Sequence, residues 1–144
     1  MNIKKLVVAV DFSKPSIQAL QVAIDLSQQL QSAIYIVYAA DMDDKSVSTA
    51  QIGLDETVEM KVFKDLKHQL HALVEKMSNG KTEVIIEVEY GDPTEGIVRL
   101  AAKVNADIIV MGTHGRTGIE HLLIGSVAEN VLRKAEIPVL CVRA

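Results

Sequence analysis

Apolar positions along this chain alternate between short continuous runs and longer stretches of helical period. Leu6 to Val10 is an unbroken apolar run after Lys4 and Lys5, and Ile3 to Val10 is predicted as a strand buried on both faces. Ser13 and Pro15 then mark a helix start, with proline in the first turn. Ile17, Leu20 and Ile24, beside Val22, Leu26 and Leu30, predict two adjacent apolar stripes on that helix. Ala33 to Ala40, rich in Ile, Val and Tyr, reads as a second strand. Asp41 to Gly53 is polar and acidic and reads as a long loop. From Leu54 through Val58, Val62, Leu66, Leu70 and Leu73 to Met77 the spacing is helical, and Asn79-Gly80 ends it, with Gly80 suited to a left-handed cap.

Thr82 to Tyr90 alternates charged and apolar residues, the signature of an edge strand with one wet face. Gly91-Asp92-Pro93-Thr94-Glu95 is a helix start: Asp92 caps, Pro93 takes the first position, and Glu95 closes a capping box. Ile97, Leu100, Ala101 and Val104 form that helix's buried stripe. Ala106 to Met111 is a further strand, Gly112 to Gly125 a glycine-spaced loop, and Ser126 to Ala135 a helix with a second capping box, Ser126 with Glu129. Pro138 to Arg143 is the last strand. Repeated strand–helix alternation predicts an α/β fold, a mainly parallel sheet with helices on both faces. No linker, second domain or internal repeat interrupts it, so residues 1–144 read as a single domain.

Composition narrows the function. The chain has 144 residues, 49% hydrophobic and 24% charged, with aromatics at only 3%. That is ordinary for a folded domain. A net charge of −4 and the lack of a basic stripe argue against a nucleic-acid partner. The apolar run near the start is too short for a signal peptide's core, and none approaches the ~20 residues that span a bilayer. The expectation is a cytoplasmic protein without a membrane partner. Cys141 is the only cysteine and lies in an apolar strand, where a thiol acts as a small hydrophobe.

In open α/β sheets ligands bind beyond the carboxyl ends of the strands. The pattern places Asp11, Ala39 to Asp41, Gly91-Asp92 and Met111 to Gly115 there. Glycines at 112, 115, 118 and 125 permit close approach of backbone to a ligand, and successive amides in such turns make anion-binding concavities. The helix start near Ser126 adds unpaired N–H groups and a positive dipole end. Gly112 and Gly115 alone would suit a tight surface loop; Gly125-Ser126 at a helix start turns the reading towards phosphate. Neither a P-loop nor a G-x-G-x-x-G dinucleotide fingerprint is present. Asp11, at the end of the first strand, suits either ribose hydroxyls or the cap of its own turn.

Gly112-x2-Gly115-x9-Gly125-Ser126 resembles the nucleotide signature of the ATP-binding branch of the universal stress protein family. Ala106 to Gly112, His114 to Gly118, Leu122 to Ala128, Pro138-Val139-Leu140 and Val10 to Ser13 resemble its flanking segments, so the likeness runs along the whole chain. The resemblance implies a three-layer, adenine nucleotide alpha hydrolase-like fold: a five-stranded parallel sheet in order 3-2-1-4-5. It implies a homodimer through the last strand and a regulatory, ATP-binding role in stress response, with Mg²⁺. On the matching positions, Asp11 would bind ribose, Ala39 would present backbone to adenine, and Met111 would line the pocket. Gly112, Gly115, Gly125, Ser126 and Val127 would hold phosphates, with Arg116 adjacent. Glu120-His121 departs from the small or basic residues the family often carries there, and a carboxylate facing the triphosphate would oppose binding.

Other groups carry less. His68 and His71 share a helix face, but two ligands make an incomplete metal site. Asp41, Asp43 and Asp44 lack EF-hand spacing. His114 suits either phosphate contact or a solvated loop. No nucleophile–base arrangement or general base is evident, so efficient hydrolysis lacks an agent. Slow ATP hydrolysis or phosphotransfer through Ser126, Thr113 or Thr117 stays open as the enzyme alternative, and a nucleotide-independent dimerising protein as the non-enzymatic one.

Overall fold

The computed structural model describes residues 1–40, 56–114 and 124–143. Five strands and four helices alternate: β1 (Lys5–Val10), α1 (Lys14–Leu30), β2 (Ala33–Ala40), α2 (Glu56–Ser78), β3 (Val84–Tyr90), α3 (Pro93–Val104), β4 (Ile108–Gly112), α4 (Ser126–Lys134) and β5 (Val139–Val142). All strand pairs are parallel, in the order β3-β2-β1-β4-β5, as the family resemblance implies.

The core follows from the two-residue period of a strand covered on both faces. In β1, Leu6, Val8 and Val10 point into one cluster with Leu20, Ile24, Leu70 and Val74 of α1 and α2. Val7 points the other way, among Ile97 and Leu100 of α3 and Ala128 and Val131 of α4. The chain steps outward from β1 to β3 under α1 and α2. It then returns across the sheet through α3 to β4, and β5 completes the other side. This reversal creates a switch point between β1 and β4.

Two packing details differ from the hydrophobic reading. The buried face of α1 is Ser16, Ala19, Leu20, Ala23, Ile24 and Ser27, while Leu30 is 40% exposed. Small residues win the inner face because they let the helix lie close on the sheet. α2 ends with Asn79 as well as Gly80 in the left-handed region, at φ 54° and 73°, and Gly80 N–H returns to Glu75 O at 2.9 Å. β3 is an edge strand: Val84, Ile86 and Val88 face the core, while Ile85 is 49% exposed.

The amino ends of the strands are stitched together. Asp107 Oδ2 accepts from Lys4 N (2.8 Å) and Lys5 N (2.9 Å). Lys5 Nζ donates to Val104 O at 3.0 Å. Ser27 Oγ donates to Ser32 O and Ser32 Oγ to Ile3 O, each at 2.6 Å. The two backbone N–H groups hold the Asp107 carboxyl below its usual range.

Candidate functional site at the switch point

Register brings the sequence candidates to one height. Val10 of β1 pairs with Tyr38 of β2, so Asp11 and Ala39 come next along adjacent strands. Val8 pairs with Val110 of β4, and continuing that register sets Gly112 level with Val10.

After β1 the chain makes a compact turn. Asp11 Oδ1 accepts from Ser13 N (2.9 Å), and Asp11 N donates to Ser16 Oγ (3.2 Å). Ser13 caps α1 by accepting from Ser16 N at 3.3 Å. Phe12 between them adopts φ 65°, a left-handed conformation uncommon for a bulky residue. Its ring packs on Tyr38, with centroids 5.6 Å apart. The turn-capping reading of Asp11 is therefore realised.

At the end of β4, Met111 is 4% exposed and belongs to the core cluster on the α3/α4 face. Gly112 has a role that its sequence context did not reveal. A Cβ there would lie 2.7 Å from Pro15 Cβ and 2.8 Å from the Pro15 carbonyl carbon. Only glycine lets β4 end against the first turn of α1, so this close approach is to the protein itself.

Thr113 follows as a junction. Its N–H donates to Val142 O of β5 at 3.1 Å, and its carbonyl accepts from Gly125 N at 2.6 Å. Its hydroxyl lies 3.0 Å from His114 Nδ1, and the residue is 6% exposed. Nothing in the pattern singled Thr113 out as a junction; its place between a strand end and a glycine-spaced loop was the only signal. Gly115, Arg116, Thr117, Glu120 and His121, like the expected loop at 41–53, lie outside the described residues.

Gly125, not Ser126, is the N-cap of α4, and among the described residues no side chain caps this helix. The predicted Ser126–Glu129 capping box does not form. Ser126 already lies inside the first turn, and Glu129 instead pairs with Arg133 at 2.9 Å. Likewise Glu95 does not serve a capping box at α3 but meets Lys134 of α4 at 2.6 Å. That contact lowers the Glu95 carboxyl and raises the Lys134 amine from their ordinary ranges. Asp92 does cap α3, accepting from Thr94 N at 3.0 Å.

The consequence for α4 is chemical. Gly125 has φ −73° and ψ 163°, extended backbone that any residue adopts. Its value here is the missing side chain, not an unusual conformation. The amides of Ser126, Val127 and Ala128 occupy the first helical turn, where geometry provides no intrahelical acceptor. Together with the helix dipole they favour an anion.

Among the described residues, no cluster of three or more His, Cys, Asp or Glu side chains could hold a metal ion. Among them, too, no helix is long and apolar enough to cross a membrane. Cys141 is half-buried in β5, and burial pushes its thiol up from the ordinary value, which disfavours a reactive thiolate. An open concavity of about 480 Å³ lies at the amino ends of β2 and β3, lined by Gln28, Gln31, Lys81 and Glu83 among others. It lies at the opposite end of the sheet from the switch point.

A sequence profile of the universal stress protein family matches residues 2–143. The universal stress protein MJ0531 of Methanocaldococcus jannaschii is 33% identical over 140 residues, spanning 97% of this chain and 82% of that protein. The solved structure of MJ0577 from the same organism superposes with a TM-score of 0.82 at 26% identity, covering 100% of this chain and 98% of the other. A universal stress protein from Archaeoglobus fulgidus, solved in complex with dAMP, superposes with a TM-score of 0.67 at 25% identity over 99% of both chains.

Proposed function

We propose that this chain, which belongs to the universal stress protein family, is an ATP-binding regulatory protein that changes its interactions with the nucleotide it holds. The observation that carries the reading is the bare N-terminus of α4 beside the switch point, where a glycine stands at the cap. The adenine mononucleotide held by the Archaeoglobus relative supports the ligand class.

In this reading the nucleotide lies across the ends of β2, β1 and β4. Ala39 offers backbone to adenine, and the second oxygen of Asp11 accepts from ribose. Met111 and Gly112 form the floor. Gly115, Gly125, Ser126 and Val127 hold phosphates mainly through amides, with Arg116 close by. Mg²⁺ would sit on phosphate oxygens and water, its usual arrangement where carboxylates do not converge. We further assign the protein to the cytoplasm as a homodimer through β5, whose Leu140 is 37% exposed on a sheet edge.

A second reading is slow phosphotransfer. Ser126 favours it, because its side chain is exposed in the first turn of α4. Thr113 is a poor acceptor, since its hydroxyl is buried against His114.

Calorimetric titration with ATP, ADP, AMP and cAMP, with and without Mg²⁺, tests the assignment. The expected result is saturable binding, tightest for ATP with Mg²⁺. Absence of binding by all four overturns it. Single-turnover assays with γ-labelled ATP decide the second reading, which fails if neither phosphate release nor labelled protein accumulates over hours.

A further inference from the structure

The strand end at Thr113 carries an inference that deepens the nucleotide-binding reading and rests on it. We propose that Thr113 is a positioning residue. Its hydroxyl donates to His114 Nδ1, so that the neutral imidazole keeps its proton on Nε2 and donates from there to a phosphate oxygen.

Three observations converge on this residue. Its backbone is held on both sides, by Val142 O of β5 at 3.1 Å and by Gly125 N at 2.6 Å. Its side chain is buried, so the hydroxyl cannot swing between partners in water. That hydroxyl lies 3.0 Å from Nδ1. The bond to Gly125 also sets the place of the histidine. His114 is the next residue after the carbonyl that anchors the α4 cap, which sets its backbone next to the start of that helix.

The chemistry then selects between two arrangements. A neutral imidazole has one donor and one acceptor nitrogen, and the bond at one nitrogen decides the state of the other. If Nδ1–H donated to Thr113, Nε2 would carry a lone pair and repel an anion. If Thr113 donates, Nε2–H faces outward as a donor. Only the second arrangement works with the helix start. It also makes a phosphate donor of a histidine that need not be charged, so binding does not depend on forming an imidazolium.

The experiment uses the full chain and ATP with Mg²⁺. Ring ¹⁵N shifts of His114, recorded above the ordinary imidazole titration range, should show the Nε2–H tautomer. Thr113→Val should give a tautomer mixture, and Thr113→Ser should restore the wild-type pattern. Thr113→Val and His114→Ala should each weaken ATP binding about tenfold, or about 1.4 kcal/mol. The double variant should be no weaker than His114→Ala alone, and Thr113→Ser should bind like wild type. An Nδ1–H tautomer in the wild type overturns the proposal, as does wild-type affinity in Thr113→Val. If wild type binds no adenine nucleotide, the functional reading falls, while the tautomer measurement still decides what Thr113 does to the ring. Should Thr113→Val fail to fold, the wild-type tautomer with the His114→Ala and Thr113→Ser affinities decides.

Discussion

Helices α3 and α4 begin at the same end of the sheet, lie side by side on one face, and are joined by the Glu95–Lys134 contact. Their first turns nevertheless have opposite character. α3 opens with Asp92, Pro93 and Glu95: one carboxylate satisfies an amide of the first turn, and proline removes another donor. α4 opens with Gly125, which supplies no side chain to its first amides. Both are ordinary helices with ordinary caps in the backbone. On the proposed reading, the place for an anion is set by what is left off a helix start. The acidic turn of α3 is stable on its own, whereas the turn of α4 gains most from a partner.

The comparison can be broken by making α4 resemble α3. Gly125→Asp places a carboxylate at a cap whose φ and ψ already suit it. Without ligand the stability should change by only a few tenths of a kcal/mol. With ATP at about 100 times its dissociation constant, the stabilisation of about 2.7 kcal/mol expected of wild type should vanish. Thermal unfolding with and without ATP reads both, and an intact ATP shift in the variant would contradict the assignment of α4. Stripping the cap from α3 is the converse. Asp92→Ala should cost about 1 kcal/mol in urea denaturation while leaving the ATP dissociation constant unchanged.

The smallest effect sharpens the contrast with the far end of the sheet, where polar groups are consumed internally. Asp107 has its carboxyl lowered by the N–H groups of Lys4 and Lys5. Its folded value lies below the unfolded one, near 3.9. Its stabilising contribution is therefore complete above that pH and is lost as pH falls through the folded value. Asp107→Asn should flatten the acid limb of the stability curve below about pH 4, measured as the urea midpoint against pH, and should leave nucleotide binding untouched.

The layered architecture was legible because each element announces itself locally: unbroken apolar runs for β1 and β4, charged alternation for the edge strand β3, and Asp92-Pro93 for the start of α3. The order of strands came from the family likeness, since alternation alone leaves several topologies. What escaped the sequence depends on partners distant in the chain. Gly112 is glycine because Pro15 fills the space where a Cβ would go. Ser126 matched a capping-box spacing, yet Gly125 became the cap because its N–H is drawn to Thr113 O. Glu95 matched another box, but Lys134 claims its carboxylate. On α1, Ala19, Ala23 and Ser27 carry too little apolar surface to outweigh Val22 or Leu30 in a periodicity count, yet close approach to the sheet buries them. At the candidate site the sequence offered Asp11 either ribose hydroxyls or the cap of its own turn, and the hydrogen bonds realise the cap.

The pairing of β1 with β4 has a consequence for biogenesis. Lys5 meets Asp107 across 102 positions of chain. During synthesis, β1, β2 and β3 with their two covering helices can emerge and associate well before β4 exists. Contacts so distant in sequence carry a loop-closure cost and form late. If the proposed site at the end of β4 holds nucleotide, a nascent chain offers no such cleft until β4 docks, and ligand can assist only the final stage of maturation.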